Sequence, residues 1–353
     1  MRRSLTRDEV AALVRRDVGR IGGGALGATR AAVAEVTAAD AGTDTSSEGS
    51  QLLRSIATTL SSLLEETAAT RLQEVPLLAA VGAFPNAFAR ETPEGTMIVV
   101  FDGLVDHLRF FADLVTILGQ LQQHCPDAVL AVDGGEAEPE ALLFSTACFA
   151  VLADCFAGNR RPPRLHEMLG PKQQRDVDLG VDTAVLFLLL HEMAHIELGH
   201  LRGHATSELA QIALIEPEQL DRTQIEEVEA DRQAIGWIRP EHRSDIVSSI
   251  IFLLGTFAFF EAFAGGLSRE HPLAVNRIAA IVADGAIDDD TRAIAMGWIE
   301  DRAAAFRRLA SERLAARGTL WHQIAASMPT TTALTVIEHV RCAIAQQDGW
   351  GAA

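Results

Sequence analysis

One segment of the sequence, LFLLLHEMAHIELGH at residues 186–200, has the residue types and spacing of a metal-binding helix. His191 and His195 are four residues apart, so on a helix both imidazoles project from one face and can reach the same ion. Glu192 adjoins the first histidine and can contact a metal-bound water without binding the metal. This HExxH pattern, preceded by an apolar run, predicts a zinc site on a buried helix.

A zinc site that catalyses a reaction needs a third protein ligand and an open fourth position. His200 is close in sequence, but on a continuing helix it would lie about 140° away from His195. We therefore expect His200, like His204, to lie behind the ligands or at the surface. The third ligand is then expected from another helix.

The segment EEVEAD at residues 226–231 can supply that ligand. Glu227 and Asp231 are four residues apart on one helix face, so that one carboxylate can bind zinc while the other accepts a hydrogen bond from a histidine ligand. Glu226 and Glu229 are alternatives, although neither has a carboxylate four residues further on.

The elements that must carry these segments are mainly helices. The apolar spacing is almost wholly helical from Asp182 onward, and it is helical over residues 51–71 and 104–123 as well. The β-branched run Met97–Phe101 lies between turn residues and predicts a strand. We predict an α+β fold that is predominantly helical, with a small sheet.

The composition limits the partners and the location of the chain. Asp and Glu number 48 against 30 Lys and Arg, giving a net charge of −18, which argues against nucleic acid as a partner. The N-terminus lacks a secretory pattern and the four cysteines form no CxxC pair, so we expect a cytoplasmic location. The apolar run at residues 246–264 favours a buried helix; the alternative is membrane association, peripheral or by a single span of the inner membrane.

Four segments, in this chain order, resemble the gluzincin zinc metallopeptidases of the HtpX and CAAX-prenyl-protease type. They are PNAFA at residues 85–89 with the strand after it, HEMAH at 191–195, EVEAD at 227–231 and HPLAVNRI at 271–278. More loosely, HExxH followed by LGH and an ExxAD helix is similar to intracellular peptidases that cleave phage repressors or act in phage exclusion.

The resemblance implies a zincin-like core that holds one catalytic Zn²⁺ ion. The metal ligands would be His191, His195 and Glu227. Glu192 would be the general base, and Asp231 would hydrogen-bond a ligand from behind.

The resemblance also implies a small β-sheet whose edge strand lies beside the HExxH helix and pairs with an extended peptide. The substrate-binding positions would be Asn86, Met97, Ile98, Val99 and Val100. We predict a metallopeptidase core at residues 51–290 with an insertion at 125–180. A helical arm and flexible linker (1–50) would precede the core, and a C-terminal helical segment (291–353) would pack on it.

The expected activity is that of a zinc-dependent metalloendopeptidase acting on protein or peptide substrates. Zinc-bound water would be the nucleophile and Glu192 its general base. The chain has no tyrosine to stabilise an oxyanion, and the resemblance points to His271 and Arg277 for that catalytic role. The alternatives are a non-catalytic or autoinhibited zinc-binding regulatory or sensor protein, for example in stress or phage defence, and a helical interaction protein with an accidental HExxH.

Overall fold

The computed structural model describes most of the chain between residues 48 and 345. The described ranges are 48–80, 87–92, 95–124, 129–130, 138–139, 160–202, 222–263, 274–283, 292–293 and 330–345, with isolated positions at 144–155 and at 328. Two residues predicted to act in the site, Asn86 and His271, lie outside these ranges, as do His204 and nearly all of the predicted arm at 1–50.

The described chain is predominantly helical, as predicted, and has a small mixed sheet. The helices are α1 (Glu48–Thr59), α2 (Glu66–Glu74), α3 (Asp102–His124), α4 (Pro171–Glu197), α5 (Arg222–Gly236), α6 (Arg243–Phe263), α7 (Ala274–Ala283) and α8 (Thr330–Ala345). The strands are β1 (Leu77–Ala80), β2 (Ala87–Thr92), β3 (Gly95–Phe101), β4 (Val129–Leu130) and β5 (Glu138–Pro139). The helix expected over residues 51–71 is in fact two helices.

The sheet corrects one prediction about substrate binding. β3 contains the predicted strand, but it is the middle strand of the order β1-β3-β2, parallel to β1 and antiparallel to β2. Ile98, Val99 and Val100 pair with both neighbours and Met97 pairs with Arg90 of β2, so this strand is not the open edge that was predicted to bind a peptide. Their prediction as an edge strand is wrong, because a β-branched buried run is equally typical of a central strand.

The chain divides into two compact units, and α3 and α4 run from one into the other. The first unit contains α1, α2, the three-stranded sheet, α4 from Asp182 onward, α5, α6 and α7. The second contains α3 from Val105, β4, β5, α4 up to Val181, and α8. The predicted insertion at 125–180 falls within the second unit, while the predicted boundaries near residues 50 and 290 stay a prediction.

Within the first unit, the link between α1 and α2 is tied to the end of α5. The backbone N–H of Glu65 donates to the Trp237 carbonyl (2.9 Å), and the N–H of Arg239 donates to the Leu63 carbonyl (3.0 Å). The Arg239 guanidinium also donates to the Leu64 carbonyl (2.8 Å). These bonds fix the end of a helix that carries site residues.

Within the second unit, a buried carboxyl on α3 meets a histidine. Asp113 is 1% exposed, and its Oδ1 lies 2.9 Å from Nδ1 of His166. Burial raises the pKa of Asp113 to about 6, while the hydrogen bond and charge of His166 oppose that rise. Arg109 and Asp178 form an ion pair nearby, which joins α3 to the first half of α4.

Among the described residues, α4 is the one helix long and apolar enough to cross a membrane, and 78% of its most apolar stretch is buried. A buried core helix passes the same test of length and composition, so this is weak evidence for a span. The stretch at 246–264 that the sequence singled out lies partly outside the described residues.

Candidate metal centre

Two helices of the first unit bring the predicted ligands together. α4 is buried at every residue from Thr183 to Ala194, because apolar side chains cover all of its faces there. α5 is acidic, a composition that normally faces solvent. Nevertheless four of its carboxylates, those of Glu226, Glu227, Glu229 and Asp231, are buried. Buried carboxylates are costly unless they are paired, so they indicate a site.

The three predicted ligands form a compact group of donor atoms. Nε2 of His191 and Nε2 of His195 are 3.0 Å apart, and the Glu227 carboxylate oxygens lie 3.3 Å and 3.4 Å from these two nitrogens. A tetrahedral zinc site with bonds of about 2.0–2.1 Å has ligand atoms about 3.3 Å apart. The two imidazole nitrogens and the carboxylate group, which meets them through a different oxygen each, therefore lie about as far apart as the ligands of such a tetrahedron.

The chemistry of the donor set agrees with this geometry. Two imidazoles and one carboxylate suit zinc and other first-row divalent metals. His191 and Glu227 are buried, and 12% of the His195 side chain is exposed. The group could hold a metal ion.

Glu192 follows His191 on α4 and is 8% exposed. None of the residues that the structure describes makes a hydrogen bond or an ion pair with its carboxyl.

The outer nitrogen of His191, Nδ1, contacts a carboxylate that is itself bound by an arginine. Nδ1 of His191 lies 2.9 Å from Oδ1 of Asp231, and Arg277 from α7 donates to both oxygens of Asp231, at 2.7 Å and 2.6 Å. Burial acts to raise the pKa of Asp231, but the charge and hydrogen bonds of Arg277 outweigh it and hold that pKa below its usual value. Asp231 is thus an ionised acceptor for the outer nitrogen of His191.

The electrostatics at His191 reflect these carboxylates. Burial acts to lower the pKa of His191, but the hydrogen bond and charge of Asp231, together with Glu227, raise it to about 9. A proton and a metal ion compete for the same imidazole nitrogen.

The outer nitrogen of His195 contacts a second histidine, which in turn contacts a carboxylate. Nδ1 of His195 lies 3.0 Å from Nδ1 of His200, and Nε2 of His200 lies 3.1 Å from Oε2 of Glu229. Burial and the neighbouring His195 lower the pKa of His200, against the opposing effect of Glu229. His200 thus lies behind the predicted ligand His195, one of the two positions expected for it.

The prediction that His200 lies about 140° away from His195 required α4 to continue through residue 200. It is wrong, because the helix does not continue that far. α4 ends at Glu197, and Gly199 has a φ of +74°, a left-handed conformation that glycine adopts readily. The chain turns back there into a short 3₁₀ turn at His200–Arg202. The sequence signal for this was Gly199, which marks a helix stop but not the direction that follows.

Arg277, which the resemblance predicted as an oxyanion donor, is 5% exposed. Besides its bonds to Asp231, its Nη1 lies 3.4 Å from the Glu227 carboxylate. It is therefore no surface residue, and its oxyanion role stays a prediction. Sequence reasoning missed the link between His200 and Glu229, since the two residues are far apart in the chain.

Comparison with known proteins adds one finding. The family described as Peptidase U49 matches residues 173–297, a little over a third of the chain, and this segment contains every residue of the candidate metal centre described above. The match supports a peptidase, and hence protein or peptide substrates. No curated protein and no solved structure matches the chain. The narrower resemblance to the HtpX and CAAX-prenyl-protease type stays a prediction.

Proposed function

We propose that the protein is a zinc-dependent metalloendopeptidase of gluzincin type with a zincin-like core. The observation that carries this proposal is the spacing of the donor atoms of His191, His195 and Glu227, close to that of a tetrahedral site. The Peptidase U49 match across the same residues supports peptide-bond hydrolysis over other zinc chemistry.

The residues of the chain would divide the reaction between them. When bound, the zinc ion supplies Lewis-acid polarisation of the scissile carbonyl and a more acidic water. Glu192 takes a proton from the attacking water and delivers it to the leaving amine. Asp231 and Arg277 hold the imidazole of His191 in one orientation from behind.

An extended peptide would pair with β2 rather than with β3. β2 is an edge of the sheet order, and no further strand pairs with it among the residues that the structure describes. It also contacts the His200–Arg202 turn, which adjoins the metal centre through His195. An edge strand binds a substrate through its main chain and so tolerates many sequences.

The chain's partners follow from the same proposal. The substrates are proteins or peptides, and the net charge of −18 argues against nucleic acid. We propose that the protein acts in the cytoplasm.

The ligand set is tested by the variant Glu227→Gln. Wild-type protein purified with zinc should contain one zinc per chain by plasma mass spectrometry. The variant loses the charged ligand, so its zinc affinity should fall by more than about 100-fold, beyond the loss typical for residues behind the ligands.

Glu197→Gln is the matched control, because it makes the same Glu-to-Gln change at the end of α4, where Glu197 pairs with Arg71. It should bind zinc as wild type does. Equal zinc affinity in Glu227→Gln would remove Glu227 from the ligand set.

A further inference from the structure

We propose that His200 and Glu229 are positioning residues for His195: together they hold its imidazole in the tautomer whose Nε2 lone pair faces the metal. This inference rests on the proposed metal site. Neither residue belongs to the ligand set, and both act through His195.

The hydrogen-bond distances allow one consistent assignment of protons. A metal on Nε2 of His195 leaves the ring proton on Nδ1, which lies 3.0 Å from Nδ1 of His200. That nitrogen of His200 must then accept, so its own proton is on Nε2. There it donates to Oε2 of Glu229 at 3.1 Å. The three side chains form one directed chain of hydrogen bonds.

Burial and backbone geometry indicate that this chain is built into the fold. Exposure of His200 is 7% and that of Glu229 is 5%. A buried carboxylate is costly unless it is bonded, and His200 supplies it with a donor. The left-handed backbone at Gly199 is what turns His200 back toward His195.

The two histidine ligands are thus anchored by different chemistry. His191 donates to Asp231, a carboxylate whose charge Arg277 balances. His195 donates to the neutral imidazole of His200, and the carboxylate of Glu229 contacts His200 and not His195 itself. Loss of such outer partners lowers metal affinity by about 10–100-fold in other proteins.

His200→Phe tests the proposal, since it keeps a ring of similar size and removes the acceptor. Zinc affinity, measured by competition with a chelator, should fall by about 10–100-fold. The visible absorption of the Co²⁺-loaded protein should also change, because the ring of His195 is free to rotate. In Glu229→Gln the amide oxygen still accepts from His200, so the fall should be smaller than in His200→Phe.

His339→Phe is the control, since it makes the same substitution on an exposed position of α8. It should leave both the zinc affinity and the Co²⁺ spectrum unchanged.

The tautomers can also be measured without any variant, by ¹⁵N NMR of histidine side chains in the zinc-loaded wild-type protein. We expect a proton on Nδ1 of His195 and on Nε2 of His200. A proton on Nδ1 of His200, or unchanged affinity and spectrum in His200→Phe, would overturn this inference and leave the metal site standing. A wild-type protein that binds no zinc would overturn the proposed function itself.

Discussion

At the scale of residues, the site is an arrangement of charges that are expensive to bury and are therefore held by partners. Asp231 is 2% exposed, and the cost of burying its charge is offset because the Arg277 guanidinium donates to both of its oxygens. Asp231 and Arg277 are 46 residues apart in the sequence, so no local pattern predicted that they would contact each other. What the sequence did predict was the i, i+4 pairing within each helix: His191 with His195, and Glu227 with Asp231.

One variant can distinguish two roles of Arg277: its contact with Asp231 and its predicted stabilisation of an oxyanion. Arg277→Met leaves the buried Asp231 charge without its main partner, so the free energy of unfolding should fall by about 3–5 kcal/mol. Zinc affinity should fall as well, since the anchor of His191 is loosened. Urea denaturation of the metal-free protein and chelator competition measure the two effects.

Arg341→Met is the control for this variant, because Arg341 forms an exposed pair with Glu338 on α8. It should change neither quantity measurably. If Arg277→Met instead kept both its stability and its zinc affinity but lost turnover, Arg277 would act on the oxyanion and not on Asp231.

At the scale of elements, the sequence predicted which segments are helix or strand better than it predicted their neighbours. The run Met97–Phe101 is β-branched and apolar, and the strand was correctly predicted from it. Its place in the middle of the sheet depends on β1 and β2, whose sequences LLAA and AFARET carry little strand signal. The turn at Gly199 is a similar case: a glycine marks the end of α4, but tertiary packing decides where His200 goes.

The packing of α1 on β1 provides a test at this scale. A Cβ atom at Gly49 would lie 2.7 Å from Cβ of Ala79, which is fixed to the strand backbone and cannot turn away. Gly49→Ala should therefore destabilise the protein, because overpacking costs about 1–3 kcal/mol and outweighs the helix-propensity gain of about 0.5–1 kcal/mol. Thermal or urea unfolding measures the change.

Gly119→Ala is the matched control, since this glycine lies within α3 and a Cβ there meets nothing within 4 Å. It should be neutral or stabilising. An equal effect of the two substitutions would contradict the close approach of α1 to β1.

At the scale of the whole molecule, the candidate metal centre lies entirely within the first unit, and the Peptidase U49 match spans it. The apolar run of α4 at residues 184–190 leads directly into the HExxH segment. We interpret that helix as the core on which the site is built. The acidic helix α5 has four buried carboxylates, so part of the negative charge of the chain lies in the site and not on the surface.

The most direct test of the proposed peptidase compares wild type with Glu192→Gln in the source cells. New protein N-termini are identified across the proteome, and the zinc content of both purified proteins is measured alongside. We expect wild-type cells to show cut sites that are reduced at least about 100-fold with the variant, because Glu192 carries the proton transfers. Zinc should remain at one per chain in both proteins. Cut sites that persist unchanged in Glu192→Gln cells would contradict the proposed mechanism.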